Sequence, residues 1–433
     1  NQRLGGGEVD RNALVPILGL DVAGRRQGGS VDRRVNPEVE SAPALGNSGR
    51  QLIHRLGHRD VHGRKGRRAA GCLYPIVHVF QRPCRPPDGN DVVRRGPART
   101  FAYASGVRAS LAEAMSRARS MTERAERPDV LRFAEQCVTE RHAEVVEIFL
   151  REEGIAKDSV NVVGFHGQTV LHRPEDALTV QLGDGPLLSR LLELPVVFDL
   201  RAADMAHGGQ GAPLAPVYHR AMVGALPQRP LGVLNIGGVA NITWIGRDGE
   251  LIAFDTGPGS ALIDDWVARC SGRTASFDVD GALAASGTLN EDVVRFFAGH
   301  AYFAERPPKS LDRNSFFGDL VEWMSPQDGA ATLTAMSAEA VALGLKQLPE
   351  VPVRIIACGG GRKNKTLTGM IAARSGVEVV RAEVVGLDGD SVEAEAWAYM
   401  AVRSQLGLPI TFPGTTGASE PLTGGLLALP TAA

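Results

Sequence analysis

Hydrophobic periodicity divides the chain into an irregular first part and a long part in which helices and strands alternate. Residues 1–96 keep no helical or strand period, and the apolar run 73–80 is their one good strand candidate. From about Ala98 the pattern changes to amphipathic helices and short apolar runs. It predicts helices at 106–118, 127–155, 185–194 and 212–226, and strands at 159–165, 179–182 and 195–200. Such alternation is typical of an α/β fold.

A second α/β block begins near Arg229. It opens with a strand, a glycine turn and another strand, which predict a hairpin over 231–246. It continues with a strand ending at Asp255, a turn with Gly257, Pro258 and Gly259, and an amphipathic helix up to 270. Helical segments lead to 336–348, a buried strand begins at 353, and a helix spans 390–407. We therefore expect a first domain at 97–228 and a second at 229–433, joined along a glycine-rich seam.

The composition of the chain argues against several classes of function. The 433 residues are 43% hydrophobic, which allows a sizeable core, and the formal net charge is −2. This balance gives the whole chain no preference for nucleic acid or membranes, and no apolar run approaches the length that spans a bilayer. Five scattered cysteines argue against a disulfide framework. We therefore expect a cytoplasmic protein with no membrane or nucleic-acid partner.

The charge is unevenly distributed. Residues 1–100 hold 17 Arg and one Lys against nine acids, a net charge of +9. A disordered basic leader, a segment that is not native coding sequence, and a nucleic-acid-binding arm all fit residues 1–96. His54, His58 and His62 are spaced like metal ligands on a helix face, but Gly57 and Gly63 interrupt that helix.

Four glycine turns follow apolar strands, at 164–169, 235–243, 254–260 and 358–361. Such turns let the backbone approach a ligand and direct N–H groups toward an anion, and a following helix N-terminus adds a favourable dipole. Four in one chain favour a nucleotide cleft. It is not a P-loop, because Asn364 stands where that motif needs its second glycine.

Asp255 has two local interpretations. It fits a helix N-cap, and it equally fits a general base that takes a proton from water or from a sugar hydroxyl. The segment 198–214 adds Asp199, Arg201, Asp204 and Gln210 beside another strand end. Polar groups in an apolar crevice suit a sugar better than a flat aromatic ligand. His166 and His172 are candidates for sugar contacts or ordinary loop residues.

Seven stretches together resemble the anhydro-N-acetylmuramic acid kinase family. They read, in order, GFHGQTVLHRP, VQLGD, DLRAADMAHGGQGAPL, LNIGGVANIT, FDTGPGS, CGGGRKN and DSVEAEAWAY. The resemblance runs from about Pro97 to about Gly425 and includes TTGASEPLTGG near its end. It implies a two-domain, actin-like (ribonuclease H-like) fold of the actin, hexokinase and Hsp70 superfamily, with the opening strands of the first domain missing or replaced.

The resemblance also implies a reaction. The family uses ATP and Mg²⁺ to open the 1,6-anhydro ring of anhydro-N-acetylmuramic acid and to phosphorylate O6. The product is N-acetylmuramate 6-phosphate, and the pathway is the cytoplasmic recycling of cell-wall sugars. The partner is therefore a small-molecule sugar, with homodimeric assembly left open.

Site residues carry over motif by motif. The family match makes Asp255 the catalytic base. The expected sugar contacts are His166, Gly167, Gln168, Thr169, Arg201, Asp204 and Glu393. The expected ATP contacts are Asn235, Gly237, Gly238, Gly257, Gly259, Gly359, Gly360, Gly361 and Asn364. The metal ligands are unknown.

Two departures from the family pattern stand out. Ser260 replaces the usual Asn, and residues 1–96 contain no S-G-T-S-x-D-G, the family's hairpin for ATP phosphates. Its absence favours the interpretation that residues 1–96 are not native coding sequence, and it predicts poor ATP binding. The rival functions are a related sugar kinase with another substrate and a pseudokinase that binds a sugar without catalysis.

Overall fold

The computed structural model of the protein describes residues 15–18, 76–80, 95–311, 316 and 318–430. Their fold is α/β, as predicted, with two sheets of mixed strand direction and a separate two-stranded hairpin. His54, His58, His62 and most of the basic leader lie outside the described residues.

The strands of the described part are β1 Val15–Leu18, β2 Ile76–Phe80, β3 Ala98–Thr100, β4 Val162–Phe165, β5 Gln168–Arg173, β6 Leu178–Leu182, β7 Val196–Phe198, β8 Leu231–Ile236, β9 Val239–Ile245, β10 Leu251–Pro258, β11 Arg354–Cys358, β12 Glu378–Arg381 and β13 Leu426–Ala428. The helices are α1 Ser105–Ala118, α2 Asp129–Glu152, α3 Gly185–Leu192, α4 Ala202–Ala206, α5 Pro216–Met222, α6 Ala261–Cys270, α7 Ala282–Ala285, α8 Glu291–Ala298, α9 Pro326–Leu345, α10 Lys365–Ser375, α11 Val392–Gln405 and α12 Pro413–Thr416.

The first sheet has the order β13-β7-β4-β1-β2-β3. Strand β4 runs parallel to β7 and antiparallel to β1, and β1 runs parallel to β2. The strand predicted at 73–80 is confirmed as β2, whereas β1 was not predicted. Two strands from residues 1–96 thus occupy the interior of this sheet, in line with opening strands that are replaced.

The second sheet has the order β10-β9-β8-β11-β12. The hairpin predicted at 231–246 is confirmed as β8 and β9, which pair antiparallel. Strand β11 runs parallel to β8 with Cys358 opposite Asn235, so the turns that follow the two strands lie side by side. Helix α9 is buried along most of its length against this sheet and helices α6 and α10.

Helix α11 crosses back to the first sheet. It packs so closely on β4 that a Cβ on Gly164 would lie 2.5 Å from the carbonyl oxygen of Trp397. Strand β13 then pairs with β7 at the edge of the same sheet. The chain therefore places polar residues of α11 beside loops that leave β4 and β7, while the domain limits 97–228 and 229–433 stay a prediction.

Candidate active site

Asp255 lies inside strand β10 rather than at its end. The strand continues to Pro258, with a bulge between Asp255 and Gly257 in its pairing with β9. Helix α6 begins at Ala261 and its N-cap residue is Ser260. The N-cap interpretation of Asp255 is therefore wrong, because Ser260 holds the N-cap position and Asp255 lies inside the preceding strand.

The carboxylate of Asp255 has an environment suited to proton transfer. Its Oδ2 accepts a hydrogen bond from the N–H of Leu311 at 2.7 Å. Burial raises the pKa of Asp255 to about 7, and the Leu311 N–H only partly opposes that rise. A carboxyl group that titrates near neutral pH can take a proton and release it again, as a general base must.

The segment 302–311 packs against one side of Asp255. Its Tyr302 hydroxyl donates to the carbonyl oxygen of Asp255, and the N–H of Asp255 donates to the carbonyl of Lys309 at 3.0 Å. Lys309 is 5% exposed, and its Nζ donates to the carbonyls of Tyr302 at 2.9 Å and Glu305 at 3.0 Å. Sequence reasoning missed Tyr302 and Lys309, since no motif links this segment to the strand of Asp255.

Arg201, His166 and Trp397 form a stacked cluster on the sugar side. The Nε of Arg201 donates to Nε2 of His166 at 3.0 Å, and its Nη1 donates to the carbonyl of Gly211 at 2.6 Å. The His166 ring stacks on Trp397 with centroids 4.1 Å apart, and the guanidinium lies 5.2 Å from the Trp397 ring centre. The structure thus unites two predicted sugar residues and adds Trp397, whose only sequence signal was its place in the DSVEAEAWAY motif.

The protonation states of this cluster follow from burial. Burial, and then the charge of Arg201, hold the pKa of His166 well below its ordinary value, so its Nε2 accepts from Arg201. Burial lowers the pKa of Arg201 to about 10 against the opposing charges of Glu393 and Asp204, which leaves the guanidinium charged at neutral pH.

Glu393 lies in the first turn of α11, within the field of Arg201. The residue keeps solvent contact, and partial desolvation by the surrounding protein atoms raises the pKa of its carboxyl group. The guanidinium of Arg201 and the indole N–H of Trp397 act in the opposite direction. An acceptor that is both solvent-accessible and held beside a guanidinium suits a polar ligand.

The other predicted sugar residues have partners within the protein. Gly167 adopts a positive φ of 68°, and a Cβ there would lie 2.3 Å from the carbonyl of Leu182. Gln168 donates to the Thr169 carbonyl at 3.1 Å, and the Thr169 hydroxyl accepts from Gln181 at 3.3 Å. These contacts shape the start of β5, and binding of a sugar by the three residues stays a prediction.

Asp204 is 2% exposed and both carboxylate oxygens have donors. Oδ2 accepts from the N–H of Gly211 at 2.7 Å, and Oδ1 accepts from the Thr416 hydroxyl at 2.6 Å. The carboxylate therefore holds the 207–211 loop against the C-terminal segment, and a direct sugar contact stays a prediction.

Buried polar atoms without a hydrogen-bond partner are concentrated near these loops. Six such side-chain atoms occur in the described part of the chain. Three belong to the β5–β6 hairpin, namely His172 Nε2, Arg173 Nε and Gln181 Oε1, and the other three are Gln210 Oε1, Gln347 Oε1 and Thr411 Oγ1. Since buried polar groups are normally paired, this concentration favours a polar ligand in this region.

Three glycine turns of the second sheet touch one another. A Cβ on Gly259 would lie 2.2 Å from the Gly237 carbonyl oxygen, and one on Gly359 would lie 2.4 Å from Oδ1 of Asn235. A Cβ on Gly361 would meet Cγ2 of Ile236 at 2.3 Å. The turns at 235–239, 257–260 and 359–361 therefore form one glycine seam within the second sheet, and only glycine permits this packing. A seam between the two predicted domains stays a prediction.

The N-termini of helices α6 and α10 lie at the same seam. Ser260 gives α6 no side-chain cap, and the N–H of Ala261 donates to the carbonyl of Gly238 at 3.4 Å. The positive end of the helix dipole favours an anion at this point. Asn364 is the N-cap of α10, and its Oδ1 accepts from the Leu367 N–H at 2.9 Å. Backbone donors and a helix dipole fit the phosphates of a nucleotide. The roles of all nine predicted residues toward ATP stay predictions: Asn235, Gly237, Gly238, Gly257, Gly259, Gly359, Gly360, Gly361 and Asn364.

Two further observations bear on partners. Within the described residues, no group of three or more His, Cys, Asp or Glu side chains could hold a metal ion. None of the helices described is long and apolar enough to cross a membrane.

Comparisons with known proteins give a consistent match. A family model described as anhydro-N-acetylmuramic acid kinase matches residues 93–429. A protein of that name from Methylobacterium nodulans is 50% identical over 336 residues, which cover 77% of this chain and 89% of the relative. Another of that name, from Rhizobium johnstonii, is 46% identical over 348 residues, which cover 79% and 93%.

A solved ligand-bound xylulose kinase from Lactobacillus acidophilus is similar at 12% identity with a TM-score of 0.31. The match covers 58% of this chain and 53% of that one. A likeness of this size carries no argument about the site.

Proposed function

The chain belongs to the anhydro-N-acetylmuramic acid kinase family, and we propose that Asp255 is the base of its reaction. The protein is a sugar kinase of peptidoglycan recycling. It opens the 1,6-anhydro ring of anhydro-N-acetylmuramic acid and phosphorylates O6, which yields N-acetylmuramate 6-phosphate. The observation that carries the assignment of the base is a carboxylate whose pKa lies near 7 at the glycine seam.

The chemistry requires a base on the side of the attacking water. A bond forms between the water oxygen and C1 while the bond between C1 and O6 breaks, and one water proton must leave. Asp255 takes that proton. The logic parallels that of an inverting glycosidase, in which one carboxylate activates water and a second group assists departure of the leaving oxygen.

ATP fits the glycine seam. When bound, ATP supplies the phosphoryl group that the departing O6 accepts. The β8–β9 turn with Asn235, Gly237 and Gly238, the turn with Gly257 and Gly259, and the uncapped start of α6 would hold the phosphates. The turn Gly359–Gly361 and Asn364 would lie on the adenosine side.

The sugar would lie between the seam and the stacked cluster. The charged guanidinium of Arg201 and the accessible carboxylate of Glu393 offer a donor and an acceptor to hydroxyl and carboxylate groups of the ligand. Trp397 offers an indole N–H and an apolar face. His166, Gly167, Gln168, Thr169 and Asp204 would complete this side of the site, directly or by holding its loops.

Mg²⁺, cytoplasmic location and a homodimer remain proposals. The described residues offer no cluster of metal ligands, so any Mg²⁺ would enter with the nucleotide and no step is assigned to it. A cytoplasmic location rests on the scattered cysteines, and self-association is testable by sedimentation.

Isotope transfer tests the reaction. Turnover in ¹⁸O-water is expected to place one solvent oxygen at C1 of the product, with the phosphoryl group on O6. An ordinary hydroxyl kinase would incorporate no solvent oxygen, so an unlabelled product would overturn the proposal.

Asp255→Asn is expected to lower kcat by about 10²- to 10⁴-fold, the usual range for a general base. Asp248→Asn, on an exposed turn, is the matched control.

The missing S-G-T-S-x-D-G motif favours one alternative, a pseudokinase that binds the sugar without turnover. Calorimetry that detects sugar binding, together with an assay that detects no ADP release at saturating ATP, would support that alternative.

A further inference from the structure

Three segments meet beside the active site. They are the loop 207–211 on the sugar side, the C-terminal segment 413–417, and the segment 302–311 that surrounds the base. Gln210 joins all three, because its Nε2 donates to the carbonyl of Pro308 at 3.2 Å and its N–H donates to the carbonyl of Thr416 at 2.7 Å. A carbonyl can only accept, so the amide of Gln210 must present its NH₂ group to Pro308.

Asp204 fixes the position of Gln210. Its two carboxylate oxygens take the N–H of Gly211, the next residue in the chain, and the hydroxyl of Thr416. A Cβ on Gly209 would lie 2.2 Å from Oδ2 of Asp204, so the loop also packs directly against this carboxylate. Both sides of Gln210 are thereby tied to one buried acid.

Pro308 leads directly to the base. The next residue, Lys309, accepts the N–H of Asp255 at its carbonyl, and the Leu311 N–H lies 2.7 Å from Oδ2 of Asp255. Pro308 is thus directly followed by the two backbone groups that contact Asp255, the Lys309 carbonyl and the Leu311 N–H. Of the charged groups of the same segment, Lys309 donates from its Nζ to the carbonyl of Glu305 at 3.0 Å, and the charge of Glu305 acts on Lys309. Glu305 and the third charged residue, Arg306, are exposed.

We propose that Gln210 and Asp204 are positioning residues for Asp255, acting through Pro308 on the segment that donates the Leu311 N–H. This inference rests on the proposed function, because it gives the two residues a role only if Asp255 is the base. It also joins the two halves of the site, since Arg201 bonds to the carbonyl of Gly211 in the same loop.

The titration of Asp255 tests the proposal without ATP or sugar. Its carboxyl carbon is followed by ¹³C NMR in the full chain and assigned by its loss in Asp255→Asn. In Gln210→Met the midpoint is expected to rise by about half a unit to one unit, because a hydrogen bond that favours the carboxylate is weakened. Gln136→Met, which removes another half-buried amide with one hydrogen bond, is expected to leave the midpoint unchanged.

Asp204→Asn gives an independent check, because the direction in which the pKa of Asp255 moves distinguishes two effects. Removing a negative charge would by itself lower the pKa of Asp255, whereas loss of positioning raises it. A rise therefore reports the hydrogen-bonded path. A midpoint that stays in place in Gln210→Met, or falls in Asp204→Asn, would overturn the proposal.

Sugar affinity separates positioning from direct contact. Calorimetry at pH 8 is expected to give Gln210→Met a Kd for the anhydro sugar within about twofold of the wild type, since its effect lies on the base. A tenfold weaker Kd with an unchanged Asp255 midpoint would make Gln210 a substrate contact and sink the inference. Failure of the proposed function would give a different result, because the wild-type protein would then neither bind nor convert the sugar.

Discussion

Asp255 and Asp390, two aspartates near the glycine seam, have pKa values shifted in opposite directions because their partners differ. Burial raises the pKa of Asp255 to about 7, with one backbone N–H in opposition. Burial would also raise the pKa of Asp390, but Arg362 and Lys363 donate to it and lower the pKa to about 2. The first acid is poised for proton transfer and the second is a fixed negative charge. The motif match predicted Asp255, but the difference in pKa depends on partners distant in sequence.

The pH dependence of activity follows from Asp255. The base works only when ionised, so kcat/KM for the sugar is expected to rise about tenfold per pH unit below about 7 and to level off above it. Steady-state rates of ADP release between pH 5 and pH 9 measure this profile. An acid limb centred near pH 4, the value of an exposed carboxyl group, would contradict the assignment.

The free energy of unfolding should also depend on the ionisation of Asp255, but it should fall as the pH rises, whereas the activity should increase. The pKa of Asp255 is higher in the folded state, about 7, than in the unfolded chain. The folded state therefore binds more protons between about pH 4 and 7, and stability is lost as the pH rises through this window. Asp255→Asn should thus stabilise the protein at pH 8 by on the order of 2 kcal/mol, allowing for partial exposure, and by less at pH 5.

Urea denaturation at pH 8 and pH 5 checks this expectation, with Asp248→Asn as the exposed control. Equal free energies of unfolding for Asp255→Asn and wild type at pH 8 would show that Asp255 carries no desolvation penalty.

At the scale of elements, strong periodicity was a reliable guide and short strands were not. Helix α2 and the β8–β9 hairpin were predicted because their apolar positions repeat over many residues. Strands β1, β12 and β13 were not predicted, and they have three or four residues each, too few for a period of two to emerge from the background. Strands β4 and β7 are equally short but lie in the apolar runs predicted at 159–165 and 195–200. The bulge in β10 depends on pairing with β9, so the sequence of β10 alone placed Asp255 at the strand end.

The glycine seam offers an element-scale prediction. Gly259→Ala would place a Cβ 2.2 Å from the Gly237 carbonyl oxygen, a contact that requires one turn to move away from the other. We expect a loss of about 1–3 kcal/mol in the free energy of unfolding and weaker ATP binding, measured by urea denaturation and calorimetry.

Gly369→Ala provides the matched control. It lies in the interior of α10 with nothing within 4 Å of the added Cβ, so it should stabilise the protein by about 0.5–1 kcal/mol. If the two variants were equally stable, the close approach of the turns would not require glycine at 259.

At the scale of the whole molecule, the site is assembled from parts that are far apart along the chain. Arg201 follows the first sheet, Asp255 lies in the second, and Trp397 returns to the first on α11. Motif order proposed Arg201 and Asp255 as site residues, and their roles stay predictions. It could not predict that Arg201 stacks on Trp397 or that Gln210 reaches Pro308, because no local pattern encodes contacts made by tertiary packing.

The nucleotide side is where the sequence departs from its family. The second sheet supplies its turns and an uncapped helix start, but residues 1–96 contain no S-G-T-S-x-D-G. A nucleotide bound without this hairpin loses the backbone donors that the hairpin directs at its phosphates. We therefore expect ATP to bind weakly to this chain while the sugar, held by the stacked cluster and Glu393, binds normally.

Replacing residues 1–96 by a segment that carries S-G-T-S-x-D-G should lower the Kd for ATP at least tenfold, about 1.4 kcal/mol or more, and raise the turnover of the anhydro sugar. The same segment with the order of these seven residues scrambled is the control, because it keeps length and composition and removes the hairpin. The Kd for the sugar should be equal in all three proteins. If the chain with its own residues 1–96 binds ATP as tightly as the chimera, the second sheet holds the nucleotide unaided and the first hairpin is dispensable here.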